Sequence, residues 1–309
     1  MSQTATTDVE DIGTILRQAI VSYLEQTGAA ERFPPHPPPA VVDGKVREVI
    51  RSWNLDIPEH ICEKAIVVGV DVGFAAYRHT PYDLQIVIAL LTFCATLFDD
   101  KSLDSKAMRE FVPRFCLGQP QLHPLLDRFI ECTMNLPKFF PLYTANLICS
   151  AVLLYANEDV YWREHAEKTT LHPSAWQYVE YSRLKSGMPE TFVVSIWPSS
   201  ICPTLDEYVQ AIPDALLFVD QANDLFSFYK ETIEDQSSYI NQYALVHGRS
   251  ISESVADIVE KLVSVVERVR VILGEGTARE AWEDFVSGYT HFHVYCPRYR
   301  MAEILIEYF

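Results

Sequence analysis

Three oxygen-bearing side chains, Asn223, Ser227 and Glu231, recur at four-residue intervals in Val219-Asp-Gln-Ala-Asn-Asp-Leu-Phe-Ser-Phe-Tyr-Lys-Glu231. On a helix each such step advances about 40° around the axis, so the three form a slanted row roughly 12 Å long on one face. An amide, a hydroxyl and a carboxylate in a row offer hard oxygen atoms to a divalent cation. Lys230, seven residues after Asn223, projects onto the same face. The plainer reading is a solvated helix surface. Residues 215–219, Ala-Leu-Leu-Phe-Val, weaken it, because the rest of this helix is apolar and buried polar groups need partners.

A second acidic cluster ends the apolar run at Phe98-Asp-Asp-Lys-Ser-Leu-Asp104. Asp99 and Asp100 then sit at the C-terminal end of a buried helix, whose partial negative charge repels carboxylates, so a bound cation would compensate. On a continuous helix Asp100 and Asp104 would share a face while Asp99 and Asp104 would not, which leaves the ligand set open. Taken alone, the cluster reads equally well as a solvated helix end.

The elements that must position these groups are helices. Apolar residues recur at three- and four-residue spacing, broken by Pro, Gly and Asn signals, whereas period-two alternation is nowhere sustained. The spacing predicts helices over 58–76, 82–99, 105–112, 123–134, 139–157, 174–186, 190–197, 204–211, 213–231, 235–247, 251–273 and 277–294. The stretches 86–98 and 145–156 are apolar almost all round, as in helices surrounded by others. An amphipathic stretch at 12–23 precedes Phe33-Pro-Pro-His-Pro-Pro-Pro39, a linker or belt that cannot continue a helix. We divide the chain into an N-terminal helix with its proline-rich segment, 1–39, and one all-α unit, 40–309.

Composition removes other classes. The chain of 309 residues carries 42 Asp and Glu against 25 Lys and Arg, a net charge of -17 that disfavours nucleic acid and anionic membranes. An anionic substrate would need a local positive device, either a few basic residues or bound cations. No GxGxxG or P-loop turn is present. The run 86–98 is shorter than the ~20 residues of a membrane span. Seven scattered cysteines without a CxxC pair, and no start resembling a secretory signal, point to the reducing cytoplasm. His291 and His293 form an HxH pair, but helical i and i+2 positions point about 160° apart and cannot clamp one metal.

At this point a family resemblance becomes specific. Asn223-Asp-Leu-Phe-Ser227-Phe-Tyr-Lys-Glu231 resembles the metal-binding motif (N/D)Dxx(S/T)xxxE of class I terpene cyclases, and Asp99-Asp100 resembles their aspartate-rich motif, about 124 residues upstream. Arg183, 40 residues before Asn223, resembles the family's diphosphate-sensing arginine, with Ser186 and Gly187 at the linker and effector positions of a helix-break triad. Gly187 and Pro189 independently oppose helix continuation, which would free backbone carbonyls. Arg298-Tyr299 resembles the pair that hydrogen-bonds diphosphate, a role suited to the planar arginine fork. Alone, Arg183 and Arg298 read more readily as surface arginines and Tyr299 as a core aromatic. The ordered set spans roughly residues 70 to 300, and the overall likeness is to the fungal trichodiene synthase group. One departure is that a DDxx(D/E) pattern needs an acid at 103, where Leu103 stands, with Asp104 one residue late.

The resemblance implies an all-α, single-domain class I terpenoid synthase bundle around a central apolar cavity. It implies three Mg²⁺ ions held by Asp99, Asp100, Asn223, Ser227 and Glu231, with Arg183, Lys230, Arg298 and Tyr299 on the diphosphate. The reaction expected is ionisation of a prenyl diphosphate, by resemblance farnesyl diphosphate with geranyl and geranylgeranyl diphosphate left open, and closure of the carbocation to a sesquiterpene hydrocarbon or alcohol. Some aromatics, for instance Phe74, Tyr77, Phe93 or Trp197, would line the cavity, although such residues most often fill the core. Two rivals stand beside this reading: a chain-elongating prenyl diphosphate synthase, whose pattern has two aspartate-rich motifs, and a non-catalytic helical scaffold. The assembly state is left open, a homodimer included.

Overall fold

The computed structural model describes residues 9–100 and 102–309. Thirteen α-helices, joined by short 3-10 turns, make up the regular structure of the described residues, and no strand occurs among them. In chain order they are α1 Val9–Thr27, α2 Ala40–Ser52, α3 Glu59–Ala75, α4 Tyr82–Asp99, α5 Ser105–Cys116, α6 Pro124–Asn135 and α7 Leu142–Glu164. They continue as α8 Trp176–Arg183, α9 Pro189–Val194, α10 Ile212–Ile233, α11 Tyr239–His247, α12 Ile251–Leu273 and α13 Thr277–Tyr295.

Two groupings of helices build the centre. α3 and α4 pack most extensively, because Gly69 and Gly73 bring the α3 backbone against Ala89 and Gln85 of α4. α10 lies among α1, α9, α12 and α13. α1 contributes Leu16, Ile20, Tyr23 and Leu24 to the same apolar core, and Tyr23 exchanges a 2.9 Å hydrogen bond with Thr290 of α13. The proline segment is a belt over α13, with the ring of Phe33 against His291 and the ring of His36 stacked on Tyr295. α4 is the one helix among the described residues long and apolar enough to cross a membrane, and 72% of it is buried inside the fold.

Several boundaries differ from the periodicity. α2 was not among the predicted helices: Val42, Val46 and Ile50 carry its buried stripe, but Gly44 and the charged residues between them dilute the signal. The stretch 204–211 forms two 3-10 turns, Leu205–Glu207 and Val209–Ala211, since Pro213 in the first turn of α10 lacks the amide that a continuous helix needs. α11 starts at Tyr239, later than 235, because Asp235 is left-handed and Ser238 caps the helix by accepting from the Asn241 amide.

Candidate active site

α10 carries the oxygen row on a face that is neither core nor open surface. Ser227 is buried and its Oγ has no partner that meets hydrogen-bond geometry, while Asn223, Lys230 and Glu231 are half-buried. Burial pushes the Glu231 carboxyl up, opposed by nearby Ser227, Lys230, Arg183 and Arg298. Glu231 forms no ion pair within 4 Å among the described residues, and neither does Lys230, whose ammonium is pushed down by burial. Asn223 is oriented by two neighbours: its Nδ2 lies 3.3 Å from His293 Nε2 and 3.4 Å from Tyr299 Oη. His293 Nδ1 donates to the Tyr289 carbonyl at 2.8 Å, so Nε2 is the acceptor. Burial pulls that imidazole down to about 3, which keeps it neutral. The Asn223 amide thus spends its donor on His293 of α13 and on Tyr299, and its Oδ1 is outside these bonds.

Asp99 closes α4, and its Oδ1 accepts from the Tyr155 hydroxyl at 2.7 Å. Asp99 and Asp100 keep solvent-accessible surface, yet protein crowds Asp99 on most sides and pushes its carboxyl up, while Arg298 and Tyr155 oppose. Asp100 accepts from both terminal nitrogens of Arg298 at 3.1 Å. Asp104 is used otherwise: it caps α5, its Oδ1 accepting from the Ala107 amide at 2.9 Å. The chain Asp100 to Arg298, Tyr299 and Asn223 therefore ties the end of α4 to α10.

Arg183 is the last residue of α8. Its Nε donates to both carboxylate oxygens of Asp224 at 2.8 and 2.9 Å, its second terminal nitrogen donates to the Asp220 carbonyl at 2.9 Å, and Asp220 Oδ1 is 3.1 Å from the first. That first nitrogen also donates to Ser186 Oγ at 3.0 Å. One guanidinium thus serves two buried carboxylates, and burial pushes both acids up, Asp220 most. Gly187 and Met188 follow in the left-handed region, at φ of 77° and 55°, before Pro189 starts α9. The far side of the break is pinned: Tyr77 Oη donates to the Phe192 carbonyl at 2.7 Å, and Trp197 Nε1 donates to Ala278 at 2.9 Å. Tyr77 and Trp197, like Phe93, are fully buried.

Of the three basic groups, Arg183 and Arg298 hold carboxylates and Lys230 holds none within ion-pair distance. Asp220 and Asp224 had no role in the sequence reading although both lie in the quoted segment. Their i, i+4 spacing was the available signal. Tyr155 and the acceptor role of His293 left no local signature.

The donors suit a hard divalent ion. No group of three His, Cys, Asp or Glu side chains gathers around one point among the described residues. The α10 row instead mixes one carboxylate, one amide and one hydroxyl that lies near Glu231 but meets hydrogen-bond geometry with no described residue, an oxygen set suited to a hard cation. His291 and His293 face apart, toward the proline belt and toward α10 respectively.

The profile of the family described as trichodiene synthase (TRI5) matches residues 63–307. "Monoterpene synthase 25" of Postia placenta is 33% identical over 268 residues, covering 85% of this chain and 80% of that protein. "Terpene synthase 29" of the same fungus is 33% identical over 301 residues, covering 96% and 87%. The crystal structure of linalool/nerolidol synthase from Streptomyces clavuligerus superposes with a TM-score of 0.59 at 15% identity, covering 85% of this chain and 99% of that one, a likeness of fold. The helical bundle is the class I terpenoid synthase fold, and the protein is an enzyme of the terpene synthase type, a carbon-oxygen lyase acting on a diphosphate ester. With the family profile spanning most of its length and a 33%-identical relative covering 96% of it, the chain belongs to the trichodiene synthase family of terpene synthases.

Proposed function

We propose that this enzyme is a Mg²⁺-dependent cyclase that ionises farnesyl diphosphate and closes the allylic cation to a sesquiterpene hydrocarbon or alcohol, releasing inorganic diphosphate. The observation that carries the reading is the bond chain from Asp100 through Arg298 and Tyr299 to Asn223, which joins two motifs far apart in sequence. Mg²⁺, three ions by family resemblance, would be held by Asp99, Asp100, Asn223, Ser227 and Glu231 and would neutralise charge on the leaving diphosphate.

The chain's own residues do the rest. Lys230, in no ion pair among the described residues, is ready to donate to a diphosphate oxygen, and Arg183 and Arg298 join it by exchanging a carboxylate for phosphate. Donors aimed at developing charge typically contribute 10²- to 10³-fold each in rate. The C–O bond breaks with both electrons going to diphosphate. In this reading the backbone carbonyls at the Gly187 break would stabilise the nascent cation, and an apolar pocket within the 40–309 bundle would hold the prenyl chain folded and exclude water. Ring closure then ends in loss of a proton or addition of one water. Seven unpaired cysteines agree with a reducing compartment, and we assign the enzyme to the cytoplasm.

A second reading, geranyl diphosphate as substrate, is favoured by one of the two 33%-identical relatives, which is named as a monoterpene synthase. Incubation of the protein with each prenyl diphosphate and Mg²⁺, followed by gas chromatography and mass spectrometry, separates the two. A chain-elongating activity would instead require isopentenyl diphosphate. Absence of any product, together with no Mg²⁺-dependent rise in melting temperature on adding inorganic diphosphate, would overturn the catalytic reading.

A further inference from the structure

Helix α7 carries a second slanted row that no motif marks. Tyr155, Asp159 and Arg163 stand at i, i+4 and i+8, and all three serve the segment that bears Asp99 and Asp100. Tyr155 places its hydroxyl 2.7 Å from Asp99 Oδ1 and 3.0 Å from the Ala95 carbonyl, with its ring stacked parallel on Phe98. Arg163 is 7% exposed. Its terminal nitrogens donate to the carbonyls of Leu103 at 2.7 Å and Phe98 at 3.2 Å, while its Nε donates to Asp159 at 2.6 Å. Those two carbonyls bracket the aspartate pair on either side. The neighbouring Glu158 reaches the other half of the site, accepting from Ser182 at 2.7 Å, next to Arg183.

A carboxylate pair at a helix C-terminus is repelled by the carbonyls it follows. A buried guanidinium satisfying the Phe98 carbonyl removes part of that repulsion, and its second bond, to the Leu103 carbonyl beyond the pair, fixes where the segment points. We propose that Tyr155 and Arg163 are positioning residues that hold the aspartate segment in its cation-binding arrangement, acting through Asp99 and through the backbone at Phe98 and Leu103. The proposal rests on the reading of that segment as one half of a Mg²⁺ site, and it adds two residues outside every motif.

The test uses the full chain, with Mg²⁺ and inorganic diphosphate as probes. The Mg²⁺ concentration at half-maximal thermal stabilisation is measured for the unaltered protein, Tyr155→Phe, Arg163→Met and Arg163→Lys. Outer-shell partners of metal ligands commonly contribute 10- to 100-fold in metal affinity. Tyr155→Phe and Arg163→Met are expected to raise that concentration at least ~10-fold, and Arg163→Lys to recover part of the loss. Diphosphate affinity at saturating Mg²⁺ should stay unchanged, while the unliganded melting temperature of Tyr155→Phe should fall only by the few degrees that one lost buried hydrogen bond costs. Should Arg163 variants fail to fold, Tyr155→Phe decides, since it keeps the stacked ring. An unshifted Mg²⁺ midpoint in folded Tyr155→Phe overturns the proposal and leaves the catalytic reading standing. No response in the unaltered protein overturns the proposal, and joined to the absence of any product it overturns the catalytic reading as well.

Discussion

Arg298 donates through both terminal nitrogens to Asp100, a residue 198 positions away in the chain. The pair is partly exposed, at 22% and 32%, so it contributes only about 0–1 kcal/mol to stability. Its interest lies in what it spans, the end of α4 and the segment after α13.

Asp100 and a diphosphate would compete for the same planar fork, so charge alone cannot replace Arg298. Arg298→Lys is expected to lower kcat/KM by about 10-fold or more and Arg298→Ala by ~10²- to 10³-fold. Melting temperatures should remain close to that of the unaltered protein. Steady-state kinetics beside a thermal scan reads both quantities, and equal losses of stability and turnover would show that the pair is only structural.

Gly187 has φ of 77°, and a Cβ there would lie 3.8 Å from the first terminal nitrogen of Arg183, an ordinary contact. Gly187→Ala should therefore cost about 1 kcal/mol through backbone strain alone. Turnover is expected to fall further, ~10-fold or more, because small displacements of reacting groups are expensive in rate. A kcat that follows stability without an additional loss would remove Gly187 from the chemistry.

His291 is buried with neither ring nitrogen hydrogen-bonded among the described residues, and burial, then His36 and Arg78, pulls it down to about 4 from an ordinary 6.5. A histidine held low binds protons more weakly folded than unfolded. Its contribution to stability is thus present above about 6.5 and is lost as pH falls toward 4. His291→Phe, surrounded by Phe33 and Tyr295, should be no less stable at pH ~7.5 and gain about 2 kcal/mol over the parent at pH ~4.5. Denaturant titrations at the two pH values measure the difference. A constant difference would show that His291 is not the group lost in acid.

Gly288 in α13 admits the end of α3 so closely that an added Cβ would lie 1.8 Å from the Ala75 carbonyl oxygen. The obstacle is backbone, which cannot rotate away. Gly288→Ala is expected to destabilise by about 3 kcal/mol, with loss of folded yield at 37 °C as the alternative manifestation. Wild-type-like unfolding would mean that α3 and α13 can separate.

The Asn223, Ser227 and Glu231 row was legible in sequence because the helical period alone decides which residues of one helix share a face, whatever packs on it. The same holds for α3, α4 and α12, whose bounds differ little from the apolar periodicity. Asp104 shows where a local reading stops: its type suited a metal, and the turn it occupies made it a helix cap. What packing across helices decided was every partner. Tyr155 on Asp99, His293 behind Asn223, and Asp220 with Asp224 around Arg183 each join positions dozens of residues apart. A hydrogen bond needs two atoms within about 3 Å, and for residues on different helices that distance is set by how the bundle closes, a property of all the buried surfaces together.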